Sequence, residues 1–209
     1  ARLGSKKDGA WHLGLTSTYQ NNGQRVVPVS SIHLNLSKVA AGEPSLLTIY
    51  DVETLFHEFG HALHGLNSNV TYPLLSGTSV ATDYVEFPSQ ILERWLSTPE
   101  VLQKYALHFK TGETIPDKLL TKIKNAATFN QGFATVEYLS SALIDMKLHL
   151  AGSTKIDPDV FEKETLAAMN MPAEMVMRHR TPQFGHIFAD DRYSAGYYSY
   201  LWSDVLSAD

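Results

Sequence analysis

Between residues 51 and 66 apolar side chains recur at Val52, Leu55, Phe56, Phe59, Ala62, Leu63 and Leu66, in steps of three and four that draw one broad stripe down a helix. Asp51 reads as its N-cap, and Gly65 with Asn67 as a left-handed C-cap. Ahead of this helix the period is two. "AWHLGLTSTY" and "RVVPVSSIHLNL" alternate like strands and flank "QNNGQ", whose Asn-Gly is a turn signal, so a hairpin is predicted within residues 10 to 36. Pro28 places its second strand at an edge or a bulge. From about residue 45 the pattern is helical, and further helices are predicted at roughly 83 to 97, 99 to 110, 116 to 128, 131 to 150, 158 to 169 and 194 to 207, several with Pro or Asp near the start. The expected fold is mainly α with a small β-hairpin or sheet near the N-terminus. With no repeat, low-complexity tract or linker, residues 1 to 209 read as a single domain, hairpin region first and helical region from about 45.

Composition narrows the class without naming an activity. The 209 residues are 44% hydrophobic, enough for one substantial core. A formal charge of −5 and a pI near 6.0 give no overall basic signal, so no nucleic-acid partner is expected. No apolar run reaches the length of a membrane span, and no membrane partner is expected either. The opening "ARLGSKKDGAWHLG" lacks the apolar core of a signal peptide, and the sequence begins without methionine. Cysteine is absent, which excludes disulfides and thiol catalysis and leaves only His and carboxylate for any zinc site. The cytoplasm is the expected compartment, with the periplasm still open.

The helix at 51 to 66 carries "HEFGHALHGL". His57 and His61 are four apart, so their rings project from one face about a turn from each other and can reach one ion. In H-E-x-x-H metallopeptidases two such histidines bind zinc, and the intervening glutamate takes a proton from the metal's water. His57, Glu58 and His61 fit those roles, against the alternative of a helix with surface histidines. A zinc site of this kind needs a third protein ligand. "TDYVEFPSQILERW" offers Asp83, Glu86 and Glu93. Glu86 stands among Tyr84, Val85 and Phe87, where burying an unpaired carboxylate would be costly and ligation would remove the cost. Asp83 reads instead as a helix-start carboxylate, and Glu93 as a solvated acid or one that supports a ligand. His64, one turn beyond His61, reads as a core or supporting histidine.

A second concentration of polar aromatics lies in "QFGHIFADDRYSAGYYSYLW". Tyr193, Tyr197 and Tyr200 lie at i, i+4 and i+7, so on a helix their hydroxyls share one face, with Tyr198 pointing elsewhere. Such stripes are commonly core. Beside a zinc helix, however, a Tyr or the nearby His186 can donate to the charge that develops on a scissile carbonyl.

Taken in order, "HEFGHALHGL", "LSGTSVATDYVEFPSQ", "FGHIF" and "YSAGYYSYLW" resemble the zinc oligopeptidase family of thimet oligopeptidase, neurolysin and bacterial peptidyl-dipeptidase, from about residue 9 to the end of the chain. "AAGEPSLL", "SGT" and "VEFPSQ" look more like the peptidyl-dipeptidase branch than like bacterial oligopeptidase A. The resemblance implies a partial zincin-like catalytic domain with one zinc held by His57, His61 and Glu86, and the 25-residue step from His61 to Glu86 matches the family. It implies Glu58 as general base, His186, Tyr193 and Tyr200 as catalytic donors, and Tyr197 as a substrate-binding residue.

Two departures stand out. Family members carry glycines between that histidine and the first tyrosine, where this chain has Ala189 to Arg192, so the family's loop flexibility, and with it its substrate preference, does not carry over to this chain. Family proteins are also about three times longer, so the sequence reads as a piece of the catalytic region whose exposed apolar surface invites self-association, from a whole protein expected to be a monomer.

The expected reaction is zinc-assisted hydrolysis of short peptides with release of C-terminal dipeptides, Glu58 moving the proton. Such an enzyme must hold a free substrate carboxylate. Arg180, with Arg178 beside it, is the candidate cation, set against surface or structural pairing. The alternatives are an endo-acting oligopeptidase of the same family and a metal-binding fragment without activity.

Overall fold

The computed structural model describes residues 9–22 and 24–209, so the Gly23 half of the predicted Asn-Gly turn and the opening residues 1–8 lie outside it. Two compact units are present: Ala1–Pro116 with Ser203–Asp209, and Asp117–Trp202.

In the first unit the predicted hairpin exists as two short antiparallel ladders. Strand β1 (Trp11–Thr16) pairs with β4 (Val29–His33), and β2 (Tyr19–Asn21) pairs with β3 (Gln24–Val26). The interruption has two local causes. The β1/β4 register shifts between Gly14 and Thr16, and Pro28, which has no N–H to give a ladder, occupies the gap between β3 and β4. Asn22 takes a left-handed φ of 51°, as the turn requires.

Helix α1 (Ile49–Leu66) begins earlier than the apolar pattern indicates. Thr48, not Asp51, is the N-cap: its hydroxyl accepts the Asp51 N–H at 3.1 Å, while the Asp51 carboxylate accepts the Thr48 N–H at 2.8 Å. Asp51 is thus the reciprocal partner of a capping box. The C-cap also differs. Asn67 has φ −92° and gives its N–H to the Leu63 carbonyl without entering the left-handed region.

The single helix expected at 83 to 97 is two, α2 (Thr82–Val85) and α3 (Phe87–Trp95), because Pro88 has no N–H to continue the ladder. Helix α4 (Pro99–Tyr105) stops short of 110, where Leu107 bridges to Thr114 and the His108 N–H bonds the Glu113 carbonyl at 2.7 Å. α1 packs on α3 and on the β1/β4 ladder.

The second unit contains α5 (Asp117–Ala127), α6 (Gln131–Leu150), α7 (Pro158–Ala168) and the short α8 (Gly185–Phe188). Helix α9 (Ser199–Ala208) starts five residues later than the predicted 194, after a turn in which Ala195 has φ 56°. The core of this unit is Ala142, Phe184, Ile187 and Tyr197, with Tyr138, Leu148, Tyr193 and Tyr200 packed against it.

Burial on α1 departs from the apolar stripe. Phe59 is 46% and Leu66 37% exposed, whereas the buried positions are Glu58, Gly60, His61 and Ala62. The helix turns a partly polar face inward because α3 lies against Gly60. Large apolar side chains elsewhere stand in solvent, among them Leu74, Phe129 and Leu150. No helix among the described residues is long and apolar enough to cross a membrane.

Candidate metal centre

The site in the first unit begins with a glycine. A Cβ built on Gly60 would lie 2.5 Å from the Ser89 Cα and 2.7 Å from the Pro88 carbonyl oxygen, so α1 and α3 meet backbone to backbone at this point. That approach brings the corner between α2 and α3 over the histidine face of α1. Glu86 occupies the corner with φ −85° and ψ −9° and is 2% exposed. Ser89, fully buried, ties the corner down by donating its hydroxyl to the Glu86 carbonyl at 2.7 Å and to its Oε2 at 3.2 Å.

Three donor atoms converge there. Glu86 Oε2 is 3.2 Å from His57 Nε2 and 3.1 Å from His61 Nε2, and all three atoms lie within 4.8 Å of one another. Two atoms bound tetrahedrally to one zinc, each at about 2.1 Å, stand roughly 3.4 Å apart, so the arrangement fits the ion with little adjustment. Two imidazole nitrogens and one carboxylate oxygen, without thiolate, are a donor set that zinc accepts. These are the residues expected from the sequence, and the site is a group that could hold a metal ion.

The surrounding groups tune these donors. Glu93 bonds His57 Nδ1, which fixes the ring so that Nε2 faces Glu86; the acid read as solvated or supporting is a supporting one. Burial pulls the His57 imidazole down, but hydrogen bonds to Glu86 and Glu93 outweigh it and push the ring up to about 10. Burial also opposes ionisation of Glu86, and its bonds from His57 and His61 overcome that, holding the carboxyl well below the usual range. Glu58, next to the first histidine, is 6% exposed, and burial raises its carboxyl. Its Oε2 has no hydrogen-bond partner among the described residues, a cost that a water or substrate proton would relieve. His64 is partly buried, with Nδ1 also lacking a partner there, and burial lowers it. Asp83 lies in the first turn of α2, as expected.

One further ring reaches this neighbourhood. His12 on β1 lies 6.4 Å from the His61 ring, its Nε2 3.0 Å from the Ser30 hydroxyl. Nothing in the local pattern of "AWHLG" singles it out.

In the second unit the predicted aromatics come together, though not on one helix: His186 is on α8, Tyr193 and Tyr197 are in the turn before α9, and Tyr200 is on α9. His186 lies within 6.5 Å of the rings of Tyr193, Tyr197 and Tyr200, measured between centroids, and Tyr193 stacks on Tyr200 at 5.8 Å. Tyr197 is buried and Tyr198 exposed. His179, which the sequence reading passed over, stacks on Phe184 at 4.9 Å and lies 5.7 Å from His186. Arg180 sits between two acids, Nε 2.6 Å from Glu162 and an Nη 2.7 Å from Asp159, the structural pairing weighed against a substrate role. Glu162, buried, also accepts the N–H and hydroxyl of Thr181, both at 3.0 Å. Arg178 is exposed. In the loop that departs from the expected glycines, the Asp190 carboxylate accepts the Arg192 N–H at 2.9 Å and closes a tight turn.

The family model described as peptidase family M3 matches residues 2–209. The chain is 45% identical over 208 residues to a protein of Escherichia coli named dipeptidyl carboxypeptidase, covering 98% of this chain and 30% of that protein. It is 38% identical over 213 residues to oligopeptidase A of the same organism, and 33% identical over 207 residues to saccharolysin of Saccharomyces cerevisiae, covering 31% and 28% of those proteins. The chain thus spans about 30% of the length of the curated relatives it matches.

Proposed function

Because the chain belongs to peptidase family M3, we propose that it supplies the zinc-binding part of a metallopeptidase that cleaves short peptides and releases C-terminal dipeptides. The observation that carries this reading is the convergence of His57 Nε2, His61 Nε2 and Glu86 Oε2 beside the buried Glu58 carboxylate, whose Oε2 has no hydrogen-bond partner among the described residues. The higher identity to the dipeptidyl carboxypeptidase than to oligopeptidase A, 45% against 38%, supports the exo-acting branch.

When bound, zinc supplies Lewis acidity that polarises a carbonyl and acidifies water. His57, His61 and Glu86 hold it, and Glu93 orients His57. Glu58, its carboxyl raised by burial against the lowering pull of His57 and His61, accepts the attacking water's proton and returns it to the departing amine. His186, Tyr193 and Tyr200 are the hydrogen-bond donors for the developing oxyanion, and Tyr197 contributes to binding of the peptide. Arg180 is the cation for the substrate's terminal carboxylate. It is already matched by Asp159 and Glu162, so it serves that role by exchanging one acid for the substrate.

The test is made on the full-length protein. Elemental analysis is expected to find one zinc per chain, lost in His57→Ala and in Glu86→Ala. Peptides with an amidated C-terminus are expected to be cleaved at least tenfold more slowly than the same peptides with a free carboxylate. Zinc retained in both variants would remove the ligand assignment, and equal cleavage of the two substrate forms would move the enzyme to the endo-acting class.

A further inference from the structure

The turn from Ser194 to Tyr198, which links the tyrosines of the second unit, is built against one face of α6. Tyr138, Asp145 and His149 lie seven and then four residues apart, so they stack along a single side of that helix. Each reaches the turn. Asp145, fully buried, accepts the Ala195 N–H on Oδ1 and the Tyr197 N–H on Oδ2, both at 2.9 Å. His149 Nδ1 lies 2.8 Å from Asp145 Oδ1, 2.9 Å from the Asp145 carbonyl oxygen and 3.2 Å from the Ala195 nitrogen. The Tyr138 hydroxyl donates to the Tyr197 carbonyl and accepts the Leu201 N–H at 3.2 Å. Ala195 is meanwhile held at φ 56°, a conformation that residues other than glycine adopt at a cost and keep only where surrounding bonds impose it.

We propose that Asp145, braced by His149 and Tyr138, is the positioning residue for the Tyr193, Tyr197 and Tyr200 cluster: it imposes the left-handed turn that sets where those three phenols and His186 meet. The inference rests on the reading that the tyrosines act on the substrate. A carboxylate is suited to the task because its two oxygens receive the Ala195 and Tyr197 N–H groups at once, where His149 Nδ1, 3.2 Å from the Ala195 nitrogen, can take only the first, and no helix could supply that geometry with Ala195 left-handed.

The experiment uses the full-length, zinc-loaded protein. Asp145→Asn preserves shape but turns an amide N–H₂ toward one of the two backbone N–H groups. It is expected to lower kcat by about 10 to 100-fold with a smaller change in KM and unchanged zinc content, since a displacement of about 1 Å in a positioned group costs on that order. Hydrogen exchange at the Ala195 and Tyr197 amides is expected to accelerate at least tenfold. Adding Ala195→Gly to Asp145→Asn removes the conformational cost and is expected to recover several-fold of the lost kcat, a rescue that a purely structural role would not produce. Should Asp145→Asn not fold, Tyr138→Phe and His149→Gln leave the carboxylate in place and carry the same two readouts, each with a smaller effect. Wild-type kcat with wild-type amide protection would overturn the proposal. Tyr193→Phe and Tyr200→Phe separate the two levels: full activity in both removes the reading that the tyrosines act on the substrate, while the exchange rates still decide whether Asp145 holds the turn.

Discussion

Glu58→Gln should leave one zinc bound and lower kcat by about 10² to 10⁴-fold, the range ascribed to a positioned general base. Glutamine keeps the size and shape of the side chain, so the buried position beside His57 and His61 is filled as before. The three donors, His57, His61 and Glu86, are untouched. What is lost is the ability to take a proton. In the native chain burial raises the Glu58 carboxyl, which brings its basicity closer to that needed to accept a proton from water and release it to an amine. The amide has no comparable basicity at any working pH. Initial rates on a short peptide, measured with zinc content on the same preparation, decide the matter: hydrolysis at the wild-type rate would sink the assignment of Glu58, and loss of zinc together with activity would instead mean that the side chain supports the ligands.

A single methyl group at Gly60 should be nearly as damaging, by a different route. The added carbon meets backbone, the Ser89 Cα at 2.5 Å and the Pro88 carbonyl at 2.7 Å, and no side-chain rotation can relieve that. α3 would have to retreat by on the order of 1 Å to restore ordinary contact, a shift of the kind that costs about 1–3 kcal/mol in packed interiors. The better helix propensity of alanine, about 1 kcal/mol, opposes this only in part. Because Glu86 is tied to Ser89, its carboxylate moves with α3, away from histidines it now approaches at 3.1 and 3.2 Å. Gly60→Ala is therefore expected to lower both the denaturation midpoint and zinc affinity, whereas Phe59→Ala, at a 46% exposed position, should change either little. Urea unfolding and a competition titration with a zinc chelator provide the comparison; a Gly60→Ala protein matching wild type in both would show that the two helices are free to part.

The histidines of the candidate metal site are legible because a helical repeat fixes side-chain direction: His57 and His61, four apart, have to share a face. Glu86 was found by a different signal, a carboxylate embedded in apolar neighbours. What the periodicity conceals is the break at Glu86, two residues ahead of Pro88, so one helix is expected where a corner stands, and the corner is what aims Glu86. At the other end of the chain the i, i+4, i+7 spacing of Tyr193, Tyr197 and Tyr200 pointed to a shared helical face, yet the rings meet through a turn. Ala195 is left-handed there, which no local rule assigns to alanine, and the cause lies about fifty residues upstream in Asp145, beyond any window of sequence pattern. Asp51 alone carries a cap signal in the sequence; only the reciprocal bonds between Thr48 and Asp51 show which one ends the helix.

The apolar side chains that stand in solvent, Leu74 at 87%, Phe129 and Leu150 at 77% each, bear on calorimetry. The heat capacity of unfolding records apolar surface that passes from a dry interior into water, and surface that is already wet adds nothing to it. Per residue, this stretch of chain should therefore show a smaller heat-capacity step than a fully packed globule, with a flatter curve of stability against temperature.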